Sequence, residues 1–354
     1  MSLKPLVFDQ LVVKVPIIQG GMGIGVSLAN LAGAVAKQGG LGILSTAQIG
    51  YQEEAFEQSP LRANMAAIKK QFERAKELSG GGAIGFNIMA ATLHYERYVK
   101  RCVEVGADVI ISGAGLPVTL PELVAGSNTK IAPIVSSNKA TKLLLGLWKK
   151  RYNRTADFIV VEGPKAGGHL GFKADAMQQS IANMDRELTE ILSTVTDFAA
   201  DFDRPIPVIF AGGVFDRSDI DHYLKLGCSG VQMATRFVAT QECDAPDSFK
   251  QAYIDASEED ITLIKSPVGL PGRALKNQFT ERIKQGKIPI AKCRSCLSYK
   301  HCDRKSIPYC ITETLLTALN GPAEQALIFA GSNAFRITEQ TTVKRIFDEL
   351  TLKL

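Results

Sequence analysis

The chain has 354 residues, 45% of them apolar and 22% charged, and a net charge of +5 from 41 basic and 36 acidic side chains. This admits one large α/β barrel with extensions, while the even charge balance gives no footing for a nucleic-acid partner. No apolar run nears the ~20 residues of a bilayer span, "MSLKPLVFDQ" lacks a signal-peptide core, and seven Cys in so long a chain do not suggest a secreted disulfide scaffold. The expectation is a cytoplasmic protein without a membrane partner.

In chain order, short runs rich in Val and Ile recur: "VPII" (15–18), "LGIL" (41–44), "AIGFN" (83–87), "ADVII" (107–111), "IAPIV" (131–135), "DFIVV" (157–161), "IPVIF" (206–210) and "GVQM" (230–233). Continuous apolar runs of this length suit strands buried on both faces, as in a parallel sheet. The intervals carry helical periodicity. In "SLANLAGAVAKQGG", Leu28, Leu31, Ala32, Val35 and Ala36 share a face, Ser27 sits where an N-cap belongs, and Gly39 and Gly40 follow the end. Stretches 93–105, 139–150 and 216–226 also read as helices. The middle strands start at 83, 107, 131 and 157, one strand-plus-helix unit apart. Eight such units predict a (β/α)8 barrel, with an open doubly wound sheet as the rival. The intervals 45–82 and 162–205 exceed a bare helix and lie at the C-terminal ends of strands, so they predict walls or lids over a site.

The barrel is expected over 1–240, with a C-terminal extension, 241–354, packed on it. That extension holds a turn-rich stretch, "KSPVGLPGRALKN" (265–277), a Cys-rich loop, a helix around 311–319 and an apolar "ALIFA" that predicts a docked tail.

Glycines follow the strands directly: "QGGMG" after strand 1, "SGAG" after strand 4, "GPKAGGHLG" after strand 6 and "AGGV" after strand 7. In a barrel these loops meet on one rim, which implies several backbones approaching one flat or anionic ligand. The loops after strands 7 and 8 are where barrels often hold phosphate. Gly212 and Gly213 can present bare N–H groups there, and Thr235, in "ATRF", a hydroxyl. A phosphate-bearing cofactor is favoured, with a sugar phosphate handled by a non-redox lyase or synthase as the alternative. "GMGIG" (21–25) resembles a dinucleotide fingerprint, but strand 2 ends "GILST" without the acidic residue that motif needs.

Of the four His, only His169 lies in a Gly-rich loop at the rim, where a neutral imidazole can move a carbon-bound proton. His94 and His222 fall in predicted helices and read as surface residues. Asn87 and Gln232 end strands 3 and 8 and can bond ring carbonyls or ring N–H groups. Glu162 ends strand 6 and can do similar work.

The ordered set "PIIQGGMG", "GFN", "IVSS", "EGPKAGGHLG", "PVIFAGGV" and "GVQMATRF" resembles the nitronate monooxygenase family, formerly called 2-nitropropane dioxygenases. Its superfamily includes the flavin-dependent enoyl-acyl-carrier-protein reductases. The match runs from about residue 12 to about residue 278 and takes in the stretch 265–277. The resemblance implies FMN in the barrel: Gly21, Met22 and Gly23 along the flavin, Asn87 near its ring, and Ser136 with Ser137 in the loop after strand 5. Ala166, Gly167 and Gly168 would hug the cofactor. Gly212, Gly213, Ala234 and Thr235 would hold its phosphate, and Gln232 and Met233 complete the strand 8 motif. Glu162 is counted with this set, and His169 matches the family's active-site His. The chain departs from many relatives in one place: Lys165 stands where they carry an acidic residue.

The implied reaction is oxidation of an alkyl nitronate by O2 to a carbonyl compound and nitrite, with His169 as the base that lets a neutral nitroalkane serve. The alternative is an NAD(P)H-dependent reductase of an enoyl thioester, which would share the same His. The expected partner is a small-molecule substrate, and the oligomeric state is open.

Cys293, Cys296, Cys302 and Cys310 are spaced C-x2-C-x5-C-x7-C, enough thiolates for a zinc ion or a [4Fe–4S] cluster. A single C-x2-C knuckle favours the cluster, which would make an electron-donor protein plausible. Arg294, Lys300, Arg304 and Lys305 would offset thiolate charge. Cys102 and Cys228 read as packing residues, and Cys243 as part of a polar loop.

Overall fold

A computed structural model describes residues 3–298, 302–303 and 305–352. Lys300, His301 and Arg304 lie outside the described residues. Eight parallel strands form one sheet: β1 (Ile17–Gln19), β2 (Gly42–Ser45), β3 (Ile84–Met89), β4 (Val109–Gly113), β5 (Lys130–Val135), β6 (Ile159–Glu162), β7 (Val208–Ala211) and β8 (Gly230–Met233). From β2 to β8 each strand pairs with the next in sequence, and β8 returns to β1. A parallel bridge between Ile18 and Leu41 joins β1 to the start of β2 and closes the ring. The fold is a (β/α)8 barrel.

The apolar runs are continuous because alternate residues serve two cores. Ile18, Ile43, Ile111, Val160 and Ile209 fill the barrel. Ile17, Leu44, Ile110, Val161 and Val231 pack outward against the helices. An N-terminal hairpin, Leu6–Phe8 with Leu11–Val13, plugs the lower mouth, where Phe8 stacks on Phe158 with ring centroids 4.7 Å apart. The other mouth, at the strands' C-terminal ends, is left for a site.

The predicted helices form at Ala29–Lys37, Tyr95–Glu104, Asn138–Tyr152 and Arg217–Leu226. Ser137 caps the third, and Asp216 builds a capping box on the fourth. Ser27 does not cap the first. Its hydroxyl is drawn inward, accepting from Gln19 Nε2 at 2.8 Å and the Met22 amide at 2.9 Å. Asp244, over two hundred residues away, accepts instead from the amides of Leu28, Asn30 and Leu31. Burial pushes the Asp244 carboxyl up to about 6 against the pull of those donors. The interval 45–82 holds the helix Pro60–Ser79. The interval 162–205 holds a two-residue strand, Gly168–His169, and the helices Met177–Ala182 and Met184–Asp201.

Past β8, the strands Ile261–Lys265 and Pro271–Leu275 pair antiparallel, and Gly168–His169 joins them as a third. The helix predicted around 311–319 spans Ile311–Asn320. The tail docks: Ala326, Leu327 and Ile328 are buried, and Val343, Ile346 and Phe347 of the last helix, Val343–Thr351, join the outer core. Cys243 is buried rather than sitting in an open polar loop, its thiol 3.6 Å from the Val26 carbonyl. Among the described residues, no helix is long and apolar enough to cross a membrane.

Candidate active site

A cavity of about 670 Å3 opens at the C-terminal mouth of the barrel. Gly21, Met22 and Gly23 enter it after β1, Asn87 from β3 and Ser136 after β5. Glu162 at the end of β6 is followed into the wall by Ala166, Gly167, Gly168 and His169. Gly212 and Gly213 follow β7, and Gln232, Met233, Ala234 and Thr235 complete the ring at β8. Lys165 also borders the cavity.

Two glycines show why side chains are excluded. A Cβ on Gly21 would stand 2.3 Å from Asn87 Cβ. Gly212 has φ of +103°, a conformation L side chains rarely adopt, and its Cβ would meet the Gly163 carbonyl at 2.8 Å. The backbone therefore forms the surface here.

His169 is held by three contacts. Its backbone pairs with Gly272, its Nε2 lies 2.7 Å from Ser266 Oγ, and its ring meets Phe329 edge-on at 5.0 Å. Burial lowers its pKa to about 4, so the imidazole is neutral at physiological pH. Glu162 is the opposite case: burial raises its carboxyl to about 7. It shares a row of the sheet with Gln232, each paired with Ala211 of β7.

Several site residues come from the extension and carry no motif. Arg273 is buried, and its Nη1 donates to the carbonyls of Pro164 at 2.7 Å and Ala166 at 2.5 Å. It clamps the loop that bears His169. Ser332 and Asn333 border the cavity beside the β7 loop, with Asn333 Nδ2 donating to the Gly213 carbonyl at 2.6 Å. Gly331 packs on Thr235 so closely that a Cβ would lie 2.5 Å from its hydroxyl. Two buried polar atoms of the wall lack a protein partner: Gln232 Oε1 and Ser332 Oγ. Such groups are costly unless a ligand or water satisfies them.

The other candidates lie elsewhere. His94 precedes its helix in a left-handed conformation, and His222 pairs with Asp185 at 3.0 Å, half exposed. Cys293, Cys296 and Cys310 are free thiols, and among the described residues no three His, Cys, Asp or Glu side chains are arranged to hold a metal ion. Cys296 nevertheless reaches the cavity wall.

The family model described as nitronate monooxygenase matches residues 4–353. The chain belongs to the nitronate monooxygenase family. It is 23% identical to a probable nitronate monooxygenase of Bacillus subtilis, over 95% of this chain and 94% of that protein. It is 27% identical to the (3aS,4S,5R,7aS)-5-hydroxy-7a-methyl-1-oxo-octahydro-1H-indene-4-carboxyl-CoA dehydrogenase of Mycobacterium tuberculosis, over 81% of this chain and 70% of that protein. Among solved structures, FabK from Thermotoga maritima superposes with a TM-score of 0.71 at 25% identity, covering 95% of this chain and 91% of that one. Nitroalkane oxidase from Streptomyces ansochromogenes gives 0.71 at 20% identity, covering 95% and 94%. The chain is accordingly a flavin-dependent oxidoreductase. Its cavity fits that cofactor class: a glycine-lined surface admits a flat ring, while Thr235, Ser332 and Gln232 offer polar atoms around it.

Proposed function

We propose that the cavity binds FMN and that the enzyme oxidises alkyl nitronates with O2 to a carbonyl compound and nitrite. The observation that carries this reading is a neutral His169 on the cavity wall, fixed by Ser266, beside a glycine-lined surface. Gly21, Met22, Gly23, Ala166, Gly167 and Gly168 would lie along the cofactor. Gly212, Gly213, Ala234, Thr235 and the unpartnered Ser332 hydroxyl would hold its phosphate. Bound FMN supplies the electron-transfer chemistry.

With Nε2–H donating to Ser266 Oγ, His169 Nδ1 keeps its lone pair, and a neutral nitroalkane can lose its α-proton to it. The Phe329 edge and the pairing with Gly272 hold the ring's direction. Ser266 then stabilises the tautomer by accepting a bond, as an orienting partner does for other catalytic histidines. A preformed nitronate needs no such base. His169→Ala should therefore lower kcat/KM for a neutral nitroalkane by ~10²–10⁴-fold and leave the nitronate reaction within several-fold. Undiminished turnover of the nitroalkane would remove His169 from the mechanism.

A second reading, reduction of an enoyl thioester by NAD(P)H, is supported by the likeness to FabK and to a carboxyl-CoA dehydrogenase. Anaerobic mixing separates the two. Bleaching of the flavin by nitronate, and not by NAD(P)H alone, supports the monooxygenase; bleaching by the nicotinamide alone supports the reductase. A pure protein with no extractable flavin sinks both.

A further inference from the structure

At one corner of the cavity a chain of hydrogen bonds runs in a single direction. The Gly50 amide donates to Asn64 Oδ1 at 2.8 Å, which fixes the orientation of that side-chain amide. Asn64 Nδ2 then spends one proton on Gln48 Oε1 at 2.9 Å and the other on the Tyr98 hydroxyl oxygen at 2.7 Å. Asn64 is therefore a donor to both neighbours. Gln48 has committed an acceptor and keeps the protons of Nε2, while Tyr98 has accepted and keeps its O–H. Among the described residues, neither donor has a partner. Asn64, Tyr98 and Gln48 are 1%, 4% and 6% exposed. Donors buried this far are costly unless something enters to accept from them.

The unspent donors belong to the cavity. Gln48 and Tyr98 both border it, with Asn64 behind them. The Tyr98 hydroxyl is close enough to the sulfur of Cys296, another wall residue, for the two to interact electrostatically. Burial pushes the phenol up to about 12, so it holds its proton at physiological pH. Beside Cys296 the wall carries the apolar side chains of Ala91, Leu297 and Ile311. Gln48 follows Ala47, whose methyl would meet a Cβ on Gly23 at 2.6 Å, so the corner adjoins the first glycine loop. Gln48 also has φ of +48°, a left-handed conformation that a non-glycine residue keeps only where its surroundings hold it.

We propose that Gln48 Nε2 and the Tyr98 hydroxyl form a two-donor pocket for the paired oxygens of the substrate, with Asn64 as the residue that positions both. The identity of that substrate, an alkyl nitronate, rests on the reading above. A nitronate spreads its negative charge over two oxygens on one nitrogen, and two neutral donors can hold both. Its alkyl end suits the apolar wall nearby. A thioester carbonyl offers a single oxygen and would use only one of the donors. A carboxylate has the same paired oxygens, so an unreactive carboxylate of the same shape should occupy the pocket too.

The test uses the full chain loaded with FMN and two probes. Propane-2-nitronate is followed through the saturation of anaerobic flavin reduction. Isobutyrate, its carboxylate counterpart, is followed through the change it causes in flavin absorbance. Tyr98→Phe removes one donor and should weaken both probes about tenfold or more, with melting temperature and FMN affinity unchanged. Gln48→Glu keeps an oxygen for Asn64 and sets a carboxylate against the anion, so it should weaken both at least as much. Asn64→Asp spends the Tyr98 proton on a carboxylate. It should match Tyr98→Phe, and the double variant should lose no more than either alone, which general loosening would not produce. Binding within about twofold of wild type in both Tyr98→Phe and Gln48→Glu overturns the proposal. So does a loss of FMN affinity of about tenfold with probe binding unchanged, since the donors would then serve the cofactor. If propane-2-nitronate does not reduce the flavin, the nitronate reading fails by itself and the isobutyrate titration still decides the pocket. A wild type that binds neither probe refutes it. Should Tyr98→Phe misfold, Gln48→Glu decides by the same measure.

Discussion

Arg273→Met tests whether the loop carrying His169 is held from the extension. The substitution keeps most of the side chain's volume and removes every donor. In the wild type, one guanidinium nitrogen serves two carbonyls, Pro164 at 2.7 Å and Ala166 at 2.5 Å. The Arg273 backbone meanwhile pairs with Gly168 and accepts from the Ala330 amide at 3.1 Å. A hydrogen bond from a charged donor contributes ~1.5–3 kcal/mol, so losing two and stranding their acceptors costs about 3–6 kcal/mol. A domain with ~5–15 kcal/mol of stability survives that, but the loop does not keep its place. Displacing His169 by about 1 Å would cost roughly 10²-fold in the reaction that needs it. The expected result is a folded enzyme with a lower melting temperature. Under the proposed mechanism its kcat/KM for neutral nitroalkane falls further than its kcat/KM for nitronate, because there only the former uses the base. Arg273→Lys, with one compact charge in place of a fork, should fall between. An Arg273→Met protein with wild-type melting and wild-type rates on both substrates would refute the clamp.

Other consequences follow from burial and close approach. Glu162 is raised to about 7, so its protonated form is favoured in the fold. Stability should drop by roughly 3 kcal/mol as pH rises from about 4.5 through about 7. Glu162→Gln should flatten that slope in urea melts of the flavin-free protein, after allowing for Asp244, raised to about 6 and acting in the same direction. An unaltered slope would mean that Glu162 is not the titrating group. His169 acts at the acid end. Its lowered pKa adds stability that is complete above about 6.5 and is lost as pH falls through about 4, and a His169→Ala protein should lack that acid limb. Gly21→Ala puts a methyl 2.3 Å from Asn87 Cβ, an overpacking of ~1–3 kcal/mol. The variant should release its flavin more readily on dilution; unchanged flavin retention would argue that Gly21 does not border the cofactor.

The barrel is legible because strands buried on both faces must be apolar throughout, and the residues between them must return the chain by a helix of nearly fixed length. The glycine loops are legible for a related reason: a strand end followed at once by glycine marks backbone used as surface. What escapes is long-range. Ser27 has the chemistry of an N-cap and the right position, yet Gln19 Nε2 and the Met22 amide claim its hydroxyl, and Asp244 takes the vacated role. No local pattern encodes that exchange. Ser266 reaches His169 across 97 residues, and Arg273 reaches Pro164 across 109. The turn-rich stretch 265–277 marks the right segment without singling out either residue. Ser332 and Asn333 sit in an unremarkable "GSNAF", made part of the site only by Gly331 packing on Thr235.

These long-range contacts change what the extension means. A barrel alone supplies glycine loops and the polar ends of its strands, and both point to a flat, phosphorylated ligand. It does not orient His169. Gly168–His169 is a strand only because Pro271–Leu275 lies beside it, and the imidazole points where Ser266 and Phe329 direct it. The same segment then holds the tail, with the Leu275 amide donating to the Ile328 carbonyl at 2.9 Å and Ala274 bridging Phe329. So the glycine loops of the cavity belong to the barrel, with Ser332 and Asn333 added to its wall from the tail, while the direction of the His169 ring is set by the chain beyond β8.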